Sequence, residues 1–366
     1  MRGSMRKGGV RAGDLGRTRP GRHAAGGALA IGILVGGAAL PAVATGSRPA
    51  ARHGSPSNYY RGKTVTILVP NAPGGNIDVT ARVAVPYLQK ALGAAGVKLV
   101  DVTGAGGVTG LDQLWTDPRD GLTVGYTNVP VALLTSLVGG QGISYNAGEF
   151  QYLGRLTASP RVVVVSTKSG ITSPSQLRGK KVLVPLSGFD DTFYTVVALA
   201  HSIGFTPEYV SGFASQAAVL ASLGSGATEL TEGSLTSLLP AIQAHLVRPI
   251  MFETNGKAAK AFSSLPAWSS LSGTTNSGLV NAFSSLVSIE GSYFVAPHTP
   301  KAAVTQLRNA IGKMFRNPAF KSAEVKAGAT LYFLDGSDEQ TQVGGIVKDV
   351  TPYLPLLRAA LKAAGG

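Results

Sequence analysis

From Tyr59 onward, short apolar runs alternate with amphipathic stretches. Residues 64–69 form an unbroken apolar and β-branched run closed by Pro70, the pattern of a buried parallel strand. Residues 77–92 then place Val79, Val83, Leu88 and Leu92 at helical spacing. Further strands are predicted over 98–102 and 122–127, and a helix over 129–138. A second series follows, with strands over 162–166, 181–185 and 248–252 and helices over 192–203, 216–223 and 235–245. The last third holds a strand over 292–296, a helix over 300–315 and one long helix over 338–364. Pro300 suits a first helical turn, where its missing N–H would be unpaired anyway. Residues 257–285 are small, polar and aperiodic, which predicts a surface excursion near a domain crossing. Alternation of this kind predicts α/β architecture, with two doubly wound domains and a cleft between them.

The front of the chain has a different pattern. Residues 24–40 carry no charge and are rich in Ala, Gly, Leu, Ile and Val. They follow an Arg-rich segment and end in Pro41-Ala42-Val43-Ala44. This is the layout of a secretory signal peptide, with cleavage expected after Ala44. A membrane anchor is the competing reading, but the segment is short and glycine-rich for a span of about 20 residues. Residues 45–58, rich in Ser, Pro and Arg, read as a tether.

Composition narrows the function classes. The 366 residues include no Cys, which excludes disulfides, thiolate metal sites, a cysteine nucleophile and a lipoprotein anchor. The formal charge is +14, but the first 44 residues hold seven of the basic side chains and one acid. The remainder keeps 26 basic against 18 acidic residues, dispersed and without aromatic interleaving. A nucleic-acid partner is therefore not expected, and a mild positive field would favour small anions.

The candidate chemistry lies in loops that open helices. Asn71, Ala72, Pro73, Gly74, Gly75 and Asn76 separate the first strand from its helix. The glycines allow a tight turn, and the helix start offers unpaired N–H donors suited to a carboxylate or phosphate. Asp78 reads first as a cap for those donors and second as a ligand contact. Gly104, Gly106 and Gly110 invite a dinucleotide-binding reading, but the spacing is one residue too long and no acid follows at the required distance. Gly62-Lys63-Thr64 lacks the first glycine of a P-loop, and Ser225 lacks the outer glycines of a nucleophile elbow. His53, His201, His245 and His298 form no metal-ligand spacing; His201 and His245 fall on predicted helices. Asp190-Asp191 and Glu229 with Glu232 are the clustered acids, read first as solvated loop or helix-start residues. Ser234, Thr236 and Ser237 mark another donor-rich helix start. These features favour binding over turnover, and no metal or cofactor is expected.

Val69-Pro70-x-x-Pro73-Gly74-Gly75-x-x-Asp78-x-x-Ala81-Arg82 resembles the opening motif of the Bug or tricarboxylate-binding receptors, the solute-binding proteins of tripartite tricarboxylate transporters. The similarity continues at 104–110, 118–123, 239–242, 248–250 and 295–300. It implies a two-lobed periplasmic-binding-protein fold of type II kind, with residues 59–156 and 288–366 in one lobe and 157–287 in the other. Closure over a small carboxylate is the implied action. By this resemblance the ligand contacts lie in the loop of Asn71, Ala72, Gly74, Gly75, Asn76 and Asp78, at Thr127 and Asn128, and across the cleft at Ser187, Gly188, Asp190, Asp191, Thr192 and Ser234. Glu232 adds an acid where the family has none. If Asp190 or Glu232 faces the cleft, a second ligand carboxylate is repelled. The expected ligand is then an organic acid or amino-acid-like molecule with one acidic end and a neutral or cationic far end. The expected partners are membrane transporter subunits, with the receptor itself a monomer. A sensor's ligand-presenting subunit and a secreted hydrolase using Asp190, Asp191 or Glu232 are the alternatives.

Overall fold

A computed structural model describes residues 58–140, 142–253 and 262–366; the expected signal peptide and nearly all of the tether lie outside them. In chain order the first elements are β1 (Thr64–Val69), α1 (Asn76–Leu92), β2 (Gly96–Asp101), α2 (Val108–Thr116), β3 (Thr123–Asn128), α3 (Val129–Val138) and β4 (Gln151–Thr157). The chain then crosses into β5 (Arg161–Ser166), β6 (Lys181–Leu186), α4 (Asp191–Ile203), β7 (Thr206–Ser211), α5 (Gln216–Ser225), β8 (Leu230–Ser234), α6 (Leu235–Gln243), β9 (Val247–Phe252) and α7 (Ser277–Leu286). It returns through β10 (Gly291–Val295), α8 (Lys301–Phe315), α9 (Pro318–Lys326), β11 (Leu331–Asp335), α10 (Gly336–Val350) and α11 (Leu354–Ala363).

The first lobe is built on a six-stranded sheet of order β11-β4-β10-β3-β1-β2. The expected doubly wound form holds for only half of it. β2, β1 and β3 are parallel, whereas β10 runs antiparallel to β3 and β4, and β11 antiparallel to β4. The physical reason is connectivity: β4 carries the chain out of this sheet and β10 brings it back. In the second lobe β5 lies antiparallel between β8 and β9, and β6 pairs in parallel with β7. Glu229 joins the two ladders. Its N–H donates to the Leu183 carbonyl at 2.8 Å, and its carboxylate accepts the Leu183 N–H at 2.9 Å. That acid is thus part of the sheet, not a solvated loop residue.

Two other expectations are corrected. The stretch read as a surface excursion contains α7, which buries Leu279, Val280, Phe283 and Leu286 and packs against both α4 and α10. Its Ser and Asn positions masked the apolar stripe. The single long C-terminal helix is two, since α10 ends at Val350 and α11 begins at Leu354. Pro352 lies in the break, where it has no N–H to continue the helical ladder. α11 then packs on α3 and α4, and one apolar cluster runs through α3, α4, α7, α10 and α11. A second cluster fills the space between α1, α8 and the first sheet. Both lobes therefore share a packed flank.

Candidate functional site

In the first lobe, the site begins with the turn between β1 and α1. Gly75 N–H bonds back to the Ala72 carbonyl at 3.3 Å, and Gly74 takes a positive φ of 81° that side chains resist. Asp78, 2 % exposed, reaches back into this turn and accepts the Gly74 N–H at 2.7 Å. Its other oxygen pairs with Arg82 Nε at 2.7 Å, one helical turn on, and Arg82 also holds Asp101 at the end of β2. Burial opposes the charge on Asp78, but Arg82 and the Gly74 N–H outweigh it and hold the carboxyl below its ordinary pKa. Asp78 is thus an ionised brace of the loop, and its carboxylate is already engaged.

Gly74 and Gly75 have their N–H groups engaged within the turn, but the helix starts beside it carry no side-chain cap. Gly75 at the start of α1 supplies no side-chain cap, and neither does Asn128 at the start of α3. Ala72, Gly74, Gly75 and Asn76 are exposed. The side chains of Asn76 and Asn128 have no hydrogen bond among the described residues. Asn71 accepts the Thr127 hydroxyl proton at 2.8 Å, which ties the loop to the end of β3. The second glycine-rich segment supports this arrangement from behind: a Cβ on Gly110 would lie 2.8 Å from both Pro70 Cβ and the Val102 carbonyl oxygen. Gly107 and Gly110 thus serve close packing under Pro70.

The facing lobe is built differently. Its helix starts are capped by their own side chains. Asp190 accepts the Phe193 N–H at 3.3 Å at the start of α4, and Ser234 accepts the Ser237 N–H at 3.3 Å at the start of α6. Exposed Ser187 donates to Asp190 at a long 3.4 Å, while Gly188 and Thr192 flank it half-buried. Behind this surface stands Arg161, the first residue of β5 after the crossing. It pairs with Asp191 at 3.0 Å, with Glu232 through Nε and Nη2 at 2.6–3.0 Å, and lies 3.7 Å from Glu253. All four side chains are buried. The expectation that Asp191 and Glu232 are solvated acids is therefore corrected: both are buried, and a buried guanidinium engages both.

One guanidinium faces three carboxyl groups, and two more stand close. Burial and then the Asp191 charge push Asp190 up to about 7. Burial likewise pushes Glu290, beside the return crossing, up to about 7. Glu253 is pushed well above the carboxylate range by burial and by Glu232. Arg161, Glu253 and Glu290 escaped the sequence reading. Three of the convergent acids come from β8, the exit of β9 and the entry to β10, so no local spacing announces them. His245 and His298 occupy turns with positive φ, and His245 lies beyond the helix predicted to hold it. A cavity of about 390 Å³ lies between α4, β7 and α11, and its lining contains no Lys or Arg.

No family model matches the chain. Protein BugT of Bordetella pertussis (strain Tohama I) is 36% identical over 84 residues, 22% of this chain and 26% of BugT, so the match spans about a quarter of that relative. Among solved structures, a TctC solute-binding protein from Polaromonas aligns over 81% of this chain and 98% of its own, with 17% identity and a TM-score of 0.61. R. palustris Rpa4515, solved with adipate, aligns over 82% and 97%, with 20% identity and a TM-score of 0.61. The chain is thus matched in fold over about four-fifths of its length and in sequence over 84 residues. This chain has the two-lobed fold of the TctC and Bug periplasmic solute-binding proteins.

Proposed function

We propose that the protein is an exported solute-binding receptor that captures a small carboxylate-bearing molecule between its lobes and delivers it to a tripartite tricarboxylate-type membrane transporter. The observation that carries this reading is the open turn at 71–76. Two uncapped helix starts, at Gly75 and Asn128, meet beside an Asn71–Thr127 bond, and the nearest acid is withdrawn by Arg82. Exposed N–H donors at the positive end of a helix suit a carboxylate. The adipate bound to Rpa4515, a chain of the same fold, is in keeping with that choice. The ligand contacts we assign are Asn71, Ala72, Gly74, Gly75, Asn76, Thr127 and Asn128 on one side, and Ser187, Gly188, Asp190, Thr192 and Ser234 on the other. Asp78, Asp191 and Glu232 act behind them as braces. Their engagement with Arg82 and Arg161 also counts against the hydrolase alternative, which needs a free acid–base pair. No helix of the described residues is long and apolar enough to cross a membrane, which accords with a receptor acting outside the bilayer.

The test is a thermal-shift screen of the chain against organic acids and amino acids, with mass spectrometry of the compound afterwards. A ligand that binds only the folded state raises the melting temperature by mass action. A shift with the compound recovered intact supports the receptor. Consumption of any compound puts the hydrolase reading in its place.

A further inference from the structure

The charge of the first lobe is unevenly spread. Residues 301–334, which hold α8, α9 and most of β11, carry six basic side chains and one acid. That acid, Glu324, is 1 % exposed, so the charged groups on the outer surface of the two helices are all cations. Lys313, Arg316, Lys321 and Lys326 are exposed, and none pairs with a carboxylate among the described residues. Helix electrostatics accounts for part of this pattern. Lys313 and Lys326 lie in last turns, where a cation offsets the helix dipole. Lys321 lies in the first turn of α9, where a cation is disfavoured, and neither helix has an acid in its first turn. Such a pattern suits an external anion better than it suits the helices.

The cations also frame apolar surface. Phe315 at the end of α8 stacks on Phe333 of β11, with ring centroids 4.7 Å apart and both side chains half-buried. Lys321 Nζ stands 4.8 Å over the Phe315 ring. A Cβ on Gly312 would lie 3.4 Å from Arg316 Nη1 and 3.8 Å from Phe333 Cζ, so the guanidinium and the ring border the same point. Val325, one helical turn beyond Lys321, is 60 % exposed, more than any other large apolar side chain among the described residues.

We propose that this face, formed by Arg316, Lys321, Val325 and the Phe315–Phe333 pair, docks the protein on a membrane surface rich in anionic lipid. Lysine and arginine stems lie along apolar surface while their charged heads reach lipid phosphates, and a shallow apolar tip enters the headgroup boundary. An acidic protein is the other occupant of matching charge. Protein interfaces are depleted in lysine, whose long side chain loses rotamer freedom when fixed. Three of the four exposed cations here are lysines, and a fluid headgroup layer requires no fixed geometry of them. None of these residues is among the assigned ligand contacts, so the face is tested apart from the receptor reading.

The chain has no Cys, so a single introduced cysteine reports on one place. The full chain carries an environment-sensitive fluorophore at Ser322→Cys, exposed on α9, or at Ser175→Cys, exposed in the second lobe. Each is titrated with vesicles of phosphatidylglycerol and phosphatidylcholine in equal parts, and with phosphatidylcholine alone. The Ser322 label should shift to the blue with the anionic vesicles, and the Ser175 label should not. The shift should disappear at about 0.5 M salt, where charges are screened within a few ångströms. Arg316→Gln with Lys321→Gln should weaken the vesicle affinity read at Ser322 about 25-fold, from about fivefold per cation. Lys180→Gln with Lys362→Gln removes the same charge from exposed positions on other elements, and should change that affinity by less than about twofold. An unresponsive Ser322 label, an equal shift at Ser175, an equal response to neutral vesicles or an equal loss in both double variants overturns the inference. So does a response to polyglutamate without one to vesicles, which assigns the face to an acidic protein.

Discussion

Arg161→Met is the sharpest probe of the charge balance at the crossing. Arg161 is 4 % exposed and contacts Asp191 at 3.0 Å, Glu232 at 2.6 Å and Glu253 at 3.7 Å. Methionine restores much of the apolar stem but leaves buried carboxylates with no cation. Removing one partner of a buried pair costs about 3–5 kcal/mol, mainly the penalty of the abandoned charge. With two close partners the loss should reach the upper part of that range where both acids are ionised. The acids can escape the penalty by taking up protons, so the folded state of the variant binds more protons than the unfolded chain above about pH 4. The destabilisation therefore grows as pH rises, and urea midpoints for wild type and variant should differ more at pH 8 than at pH 5. Replacing both members, Arg161→Met with Glu232→Met, should recover part of the loss at pH 8, because an apolar pair needs no counter-charge. A loss below about 1 kcal/mol at pH 8, equal at both pH values, would show that Arg161 does not neutralise these acids.

Three further outcomes are expected. Burial pushes Glu324 up to about 8, with no hydrogen bond to either oxygen, and Glu339 is likewise pushed up to about 8. A raised carboxyl stabilises the fold while protonated, so stability should fall by a few kcal/mol as pH rises from about 5 to 8.5; Glu324→Gln should flatten that fall in urea titrations. Asn71→Ala removes the 2.8 Å bond to Thr127 and should weaken ligand binding about fivefold, with under about 1 kcal/mol lost from stability, measured by calorimetry and urea unfolding side by side. Gly110→Ala places a Cβ 2.8 Å from Pro70 and from the Val102 carbonyl, so it should cost about 1–3 kcal/mol and displace the binding turn, seen as a joint loss of melting temperature and affinity.

What could be read along the chain depended on how evenly each element is buried. β5 announces itself because every residue is buried, and β1 because four of its six are, which demands continuous apolar runs. β7 and β11 are half-exposed, and their mixed sequences TPEYVS and LYFLD carry no clear period. β8 was missed for another reason: its Glu232 reads as a surface residue until a guanidinium is placed beside it. The binding turn was legible because its requirement is local, with two glycines and a helix start within eight positions. Asp78 read as a cap from its place in the first helical turn; its pairing with Arg82, one turn on, and with Asp101 beyond it, came only from the structure, Asp101 being brought there by the parallel pairing of β1 and β2.

By itself, then, the sequence determined the alternation of elements, the donor-rich turn at 71–76 and the family it resembles, since each rests on residues close together in the chain. Tertiary structure alone decided the state of the acids. Asp191, Glu232, Glu253 and Glu290 acquire their meaning from a single arginine at the crossing, which the pairing of β5 with β8 and β9 brings beside acids far from it in the chain. A buried charge is governed by what surrounds it in space, and chain spacing does not encode that.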